Sequence, residues 1–283
     1  MNAEAITEVI LSVPNRTMTS LYAVDPNEGT YCCLICRVEM RRVFFPLFQK
    51  YVMPSACKCV ASRMEKDQLD LERSVRRDRL ERHYKRSIIS ESLKRASFEN
   101  FIIRRGTENV FNEAKRFADT FRIQEFGLML YGKPGNGKSH LMASIHHELV
   151  KHGYVCLFLD VSQLFNTAKD TFKFSSKVSL TDIITAAVDC DLLTLDEIGS
   201  GVLSETEFND ILFPIINGRM GKKTNYSSNL DLNRLSKWFE KGRNGGALDT
   251  DGRLIDRIIG SCRVFENLAT SKRHEDALKR MHD

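Results

Sequence analysis

Gly132-Lys-Pro-Gly-Asn-Gly137-Lys138-Ser139 decides the fold. The stretch matches the spacing G-x-x-x-x-G-K-[ST] in full. Its flanks agree with it. The apolar run Gly127–Tyr131 reads as a buried strand, and Lys138–His152 reads as a helix. Between them the glycines let successive backbone N–H groups turn inward around phosphate oxygens. The helix start adds the positive end of its dipole. In such a loop Lys138 reaches the β- and γ-phosphates and the Ser139 hydroxyl ligates Mg²⁺.

A phosphate loop needs an acidic partner at the end of a neighbouring strand. Leu192–Leu195 is a short apolar run followed by Asp196-Glu197. Asp196 is placed to hold Mg²⁺ through water, and Glu197 to polarise the attacking water. Asn229 ends the strand-like stretch Tyr226-Ser-Ser-Asn and could orient that water, although an Asn after a strand is commonly a turn residue. Arg253 and Arg257 share one face of a helix. They form either a solvated basic face or, in an oligomer, a finger reaching a neighbour's γ-phosphate. Arg273 could contact the nucleotide of its own subunit.

Outward from the loop, the pattern alternates. Helices are expected over Glu108–Phe121, Leu180–Asp189 and Glu205–Arg219, and strands over Val155–Leu159 and Lys223–Asn229. Strands separated by helices imply an α/β fold, a parallel sheet with helices on both faces. The 283 residues carry 42% hydrophobic residues and a net charge of +5. That is enough for a core, and a mild basicity that permits nucleic acid as a partner without requiring it. No apolar run approaches the ~18 residues of a membrane span. The start has Glu4 and Glu8 and no basic region, unlike a signal peptide. A cytoplasmic location with reduced thiols is therefore expected.

Of eight cysteines, Cys156, Cys190 and Cys262 sit in apolar surroundings and read as buried hydrophobes. Cys32, Cys33, Cys36, Cys57 and Cys59 cluster within 28 residues. Cys33-x-x-Cys36 and Cys57-x-Cys59 suit a tetrahedral structural Zn²⁺ site, with Cys33 giving a better pair than Cys32. The organisation read from these features is a leader (1–30), a zinc module (31–62), a charged helical connector (63–96) and an ATPase domain (97–283). The connector, with eleven Lys/Arg against seven Asp/Glu over 63–95, is either a solvated helix or a docking element. Phe165–Lys177 interleaves Phe165, Phe172 and Phe174 with Lys169, Lys173 and Lys177. That pattern serves either core packing or single-stranded nucleic acid.

Taken together, these motifs resemble the bacterial and phage replicative-helicase loaders of the DnaC/DnaI type. The loop running on into His140-Leu141, LLTLDEIG at 192–199, Ser227–Leu230, Gly252–Ile258, Ser271–Arg273 and the preceding cysteine module all take part. These loaders are AAA+ ATPases related to IstB and DnaA. The resemblance covers roughly residues 31–275. It implies ATP, Mg²⁺ and Zn²⁺ as cofactors. It implies a hexameric replicative DNA helicase bound by the amino-terminal region, single-stranded DNA bound by the ATPase domain, and self-association through that domain. Residues Gly132, Pro134, Gly135, Asn136, Gly137, Lys138, Ser139 and His140 would bind nucleotide. Asn229 would be the first sensor, Arg257 rather than Arg253 the arginine finger, and Arg273 the second sensor. Ser228 stands where the family commonly has Thr. The alternatives are an IstB-like transposition helper and a nucleotide-gated DNA-binding scaffold.

Overall fold

The computed structural model describes residues 22–24, 30–46, 50–52, 56–83, 89–171 and 179–282. These fall in two compact units divided between Glu72 and Arg73.

The first unit is built around the cysteines. Strands β1 (Tyr22–Val24), β2 (Thr30–Cys33) and β3 (Glu39–Arg41) form an antiparallel sheet in sequence order. Strands β4 (Val43–Phe45) and β5 (Lys50–Val52) pair separately. Helix α1 (Lys58–His83) follows, and the division between the units lies within it. The helix expected in the connector (63–96) thus starts earlier, at Lys58, and is described to His83. Residues Glu91–Leu93 form one 3₁₀ turn, stopped by the Ser-rich approach to the next domain, and 84–88 lie outside the described residues.

The second unit contains five parallel strands in the order β10-β6-β9-β8-β7. They are β6 (Gly127–Gly132), β7 (Cys156–Asp160), β8 (Leu192–Asp196), β9 (Thr224–Ser228) and β10 (Cys262–Asn267). Side chains alternate across a strand, so each strand feeds two cores. On one face Leu128, Leu130, Phe158 and Leu192 pack against α2 (Glu108–Asp119) and α3 (Lys138–Lys151). On the other, Met129, Leu157, Leu159, Leu193, Leu195 and Tyr226 meet α4 (Val161–Thr171), α5 (Leu180–Asp189), α6 (Phe213–Gly218), α7 (Leu232–Glu240) and α8 (Arg253–Ser261). The chain ends on α9 (Lys272–His282). Among the described residues, no helix is long and apolar enough to cross a membrane.

Two elements differ from the sequence pattern. The helix expected over Glu205–Arg219 is π-helical from Glu207 to Leu212 before it becomes α6. Pro214 explains this: its ring crowds the carbonyl one turn back and it donates no hydrogen bond, so the backbone widens ahead of it. Strand β10 was not legible. It pairs only with β6 at the sheet edge, and its Arg263 and Glu266 break the apolar run that marks a central strand.

Candidate nucleotide-binding site and cysteine cluster

The parallel sheet gathers the polar residues at the carboxyl ends of β6, β8 and β9, where ligands of open α/β sheets bind. A cavity of about 400 Å³ opens there. Pro134, Gly135, Asn136, Gly137, Lys138, Ser139, His140, Glu197, Asn229 and Arg273 all line it. Gly132 ends β6 directly beneath them.

The loop backbone needs its glycines. Gly137 caps α3 with φ 102°, and a Cβ there would stand 2.8 Å from the Phe101 ring. Gly135, at φ 74°, lies against Ser271, and a Cβ would meet its hydroxyl at 2.4 Å. Any side chain at these two positions would be strained and would also collide. Asn136 is buried and bound to the end of β10. Its Nδ2 donates to the Asn267 carbonyl at 2.9 Å, and Asn267 Nδ2 donates to the Asn136 carbonyl at 3.2 Å.

Lys138 is 5% exposed. Its ammonium lies within hydrogen-bond reach of the Gly132 and Lys133 carbonyls (2.8 and 2.9 Å), Asn136 Oδ1 (3.1 Å) and Asn229 Oδ1 (2.9 Å). An ammonium has three protons for these four acceptors. Burial pulls its pKa down to about 8, against the attraction of Asp196 and Glu197. The site therefore holds a buried cation with no carboxylate in direct contact, the state a polyphosphate would complete.

Asp196 is 3% exposed. Burial pushes its carboxyl up to about 6, against the lowering effect of the neighbouring Ser227 and Ser139 hydroxyls. Ser227 donates to Asp196 Oδ1. A buried carboxylate beside the phosphate-loop serine is an oxygen donor set suited to a hard divalent cation. The next residue, Glu197, has φ 58°, a left-handed conformation uncommon without glycine. Its N–H donates to Ser227 Oγ at 3.0 Å, and Ile198 N–H donates to the Ser227 carbonyl at 2.9 Å.

His140 Nε2 lies 2.9 Å from Asn100 Oδ1 and 3.1 Å from the Ser97 carbonyl, with its ring edge-on to Phe101. Phe101 also stacks on Phe111, 5.5 Å between centroids. The segment Asn100–Ile102 with Arg104 forms a cavity wall that the sequence reading did not assign. Ser227 and Asn267 were missed as well. Ser227 stood in a quoted motif, whereas Asn267 ends a strand that carried no signal.

Arg273 reaches the cavity because Lys272 N–H donates to the Gly135 carbonyl at 2.9 Å, fixing the first turn of α9 on the loop. Arg253 and Arg257 are not part of the cavity. Their guanidinium groups lie 5.8 and 5.1 Å from the Phe213 ring centroid. Arg253 also pairs with the fully buried Asp249 at 3.7 Å, while Arg257 Nη1 is buried without a hydrogen-bond partner. Asp249 fixes both arginines by capping α8, accepting from Arg253 N–H (3.0 Å) and Leu254 N–H (2.7 Å).

Phe165 takes the core-packing alternative. It is 6% exposed and belongs to the core, so it offers no face for a base. Lys169 is ion-paired with Glu207 at 2.7 Å. Phe172, Lys173, Phe174 and Lys177 lie outside the described residues.

In the first unit, the Sγ atoms of Cys33, Cys36, Cys57 and Cys59 all lie within 4.8 Å of one another. Cys57 and Cys59 are 3.1 Å apart, and Cys33 and Cys59 3.6 Å. Tetrahedral Zn–S bonds of ~2.3 Å imply sulfur spacings of roughly 3.8 Å, so this donor set fits zinc. Cys33-Leu-Ile-Cys36 turns sharply: Arg37 N–H donates to the Cys33 carbonyl at 2.8 Å, with φ 58° at Arg37. Alternation along β2 buries Cys33 and leaves Cys32 half-buried on the other face. The Cys57 thiol beside it is the main cause that pushes Cys59 up to about 12. Such crowding resists ionisation unless a cation is shared.

Comparison with known proteins converges on one group. A family model described as IstB-like ATP binding protein matches residues 59–280. The replicative helicase loader DnaC of Buchnera aphidicola subsp. Schizaphis graminum is 32% identical over 202 residues, covering 66% of this chain and 81% of the relative. Its namesake from Escherichia coli (strain K12) is 30% identical over 171 residues, 59% of this chain and 69% of the relative. Among solved structures, DnaI superimposes with a TM-score of 0.54 at 22% identity, over 66% of this chain and 95% of that one. The DnaC helicase loader gives 0.52 at 20% identity, over 63% and 99%.

Proposed function

The chain belongs to the family of IstB-like ATP-binding proteins, and from that premise we propose that it is an ATP-dependent loader, delivering a hexameric replicative DNA helicase onto single-stranded DNA. One observation carries this reading: its relatives over 202 and 171 residues are named replicative helicase loaders. Those names favour the loader over a transposition helper.

In this reading the ATPase domain (97–283) binds ATP in the cavity above β6. Lys138 exchanges one of its four acceptors for a β- or γ-phosphate oxygen. The loop N–H groups and the start of α3 hold the other oxygens. Ser139 and Asp196 would hold Mg²⁺, which would supply positive charge to the phosphates. Glu197 polarises water and Asn229 orients it. Arg273 contacts the nucleotide within the subunit. Arg257, outside the subunit's own cavity, serves a neighbour in a self-associated assembly. Phosphoryl transfer then depends on positioning and charge rather than on covalent chemistry by the protein. The cysteine module (31–62) holds Zn²⁺ and, with the connector (63–96), binds the helicase.

The test mixes the purified protein with its host's replicative helicase and ATP, followed by size-exclusion chromatography with light scattering. A stable complex that is lost with residues 1–96 deleted, and nucleotide binding that is lost in Lys138→Ala, are expected. No complex under any nucleotide condition would sink the loader reading.

A further inference from the structure

We propose that Ser227 is a positioning residue for ATP hydrolysis: one side chain that ties the metal-holding carboxylate of Asp196 to the backbone of the water-activating Glu197. The inference rests on the ATPase reading of the cavity and adds to it a residue to which the sequence reading gave no role.

The argument is geometric. Ser227 is on the central strand β9, flanked by β6 and β8, and is 1% exposed. Its hydroxyl has one proton and gives it to Asp196 Oδ1. Its oxygen accepts the Glu197 N–H at 3.0 Å, and its carbonyl accepts the Ile198 N–H at 2.9 Å. Three consecutive residues of the acidic turn are therefore tied to a single residue. Two of these bonds close around Glu197, whose φ of 58° is left-handed. A non-glycine residue holds such a conformation only where its surroundings over-determine it. The hydroxyl supplies that constraint at the Glu197 N–H while also fixing which Asp196 oxygen remains free for the cation.

Hydrogen-bond partners of ligating carboxylates set their orientation, and losing one typically costs 10–100-fold in metal affinity or activity. Ser227→Ala removes both side-chain bonds and leaves the carbonyl bond to Ile198 in place. Ser227→Thr keeps the hydroxyl and is well tolerated in a strand. Ser227 borders the cavity, but its hydroxyl is committed to Asp196 and the Glu197 N–H, so nucleotide affinity without Mg²⁺ is the control.

The experiment measures steady-state turnover against Mg²⁺ concentration, and binding of a fluorescent ATP analogue in EDTA, for the parent, Ser227→Ala and Ser227→Thr. In Ser227→Ala we expect a roughly tenfold or greater fall in kcat and a comparable rise in the Mg²⁺ needed for half-maximal turnover. Nucleotide affinity in EDTA should change less than about twofold, and Ser227→Thr should recover most of the turnover. Ser227→Ala indistinguishable from an active parent overturns the inference alone. Equal loss in Ala and Thr variants, with weakened binding in EDTA, marks mere packing and also overturns it. A parent without Mg²⁺-dependent turnover overturns the ATPase reading itself, and the inference with it.

Discussion

Asn136 and Asn267 clasp each other backbone to side chain: each amide nitrogen donates to the other residue's carbonyl, at 2.9 and 3.2 Å. Their remaining amide oxygens are also used. Asn136 Oδ1 accepts from Lys138 and Asn267 Oδ1 from Ala269 N–H. Both residues are 1% exposed. The clasp joins the phosphate loop to the strand that leads into Arg273.

Breaking the clasp should cost both stability and nucleotide affinity. Asn267→Ala takes the partner from the Asn136 carbonyl and from the Ala269 N–H, at about 2 kcal/mol by denaturant unfolding. The double variant Asn136→Ala/Asn267→Ala loses two separate bonds between residues in direct contact, so a measurable coupling between the single losses is expected. Strict additivity would show that the clasp is not a unit.

Nucleotide binding should be strongest between about pH 6 and 8. Lys138, pulled down to about 8 by burial, is expected to regain its proton affinity beside phosphates, so binding takes up protons above pH 8 and weakens there. Asp196, pushed up to about 6, must lose its proton to hold Mg²⁺, so metal-dependent binding weakens below pH 6. Titration calorimetry in buffers of different ionisation enthalpy reads proton uptake on the alkaline side and release on the acidic side. Affinity flat across both limbs would contradict the assignment.

Asp196→Asn should abolish Mg²⁺-dependent turnover yet stabilise the nucleotide-free protein. The folded carboxyl titrates near 6 rather than 3.8, so the folded state binds this proton more tightly than the unfolded state. Its ionisation is therefore unfavourable above pH 6, by roughly 3 kcal/mol at neutral pH. That cost disappears as pH falls from 6 toward 4. The parent's melting temperature should approach the variant's over that interval, and remain below it at pH 7.

Cys33→Ser and Cys32→Ser should differ. Only Cys33 shares the four-sulfur cluster, while Cys32 faces the other side of β2. Released zinc, measured by a chromogenic chelator after thiol modification, should be about one per chain for the parent and Cys32→Ser, and near zero for Cys33→Ser. Equal zinc in both variants would reassign the ligands.

Arg257→Ala should leave single-subunit nucleotide binding intact and remove turnover in the assembly. The residue is on α8, against Phe213 and outside the subunit's own cavity. Mixing it with Lys138→Ala should restore part of the activity, since each variant lacks what the other supplies. No recovery in mixed assemblies would place the finger elsewhere.

Much of this protein could be read along the chain. The phosphate loop is a local device: its glycines, Lys138 and Ser139 act within one strand–turn–helix, so their spacing is sufficient evidence. Strands β6, β7, β8 and β9 and most helices were legible along the chain from runs and periodicity. The first zinc pair and the second are each local too, and alternation along β2 already separates Cys33 from Cys32. Other features arose only from assembly. Strand β10 has no apolar signature because its edge position tolerates Arg263 and Glu266. The π-helical turn before Pro214 is a compromise between a helical pattern and a residue that cannot complete it. Ser227 and Asp196 are 31 positions apart, and Asn136 and Asn267 131 apart. Such pairs carry no periodic signal, because a hydrogen bond across a parallel sheet depends on strand order and register. The sequence by itself determined which chemistry the loop, the acids and the thiols could perform. Only the packed sheet decided which distant polar residues would hold them in place, since burial makes each of those bonds obligatory.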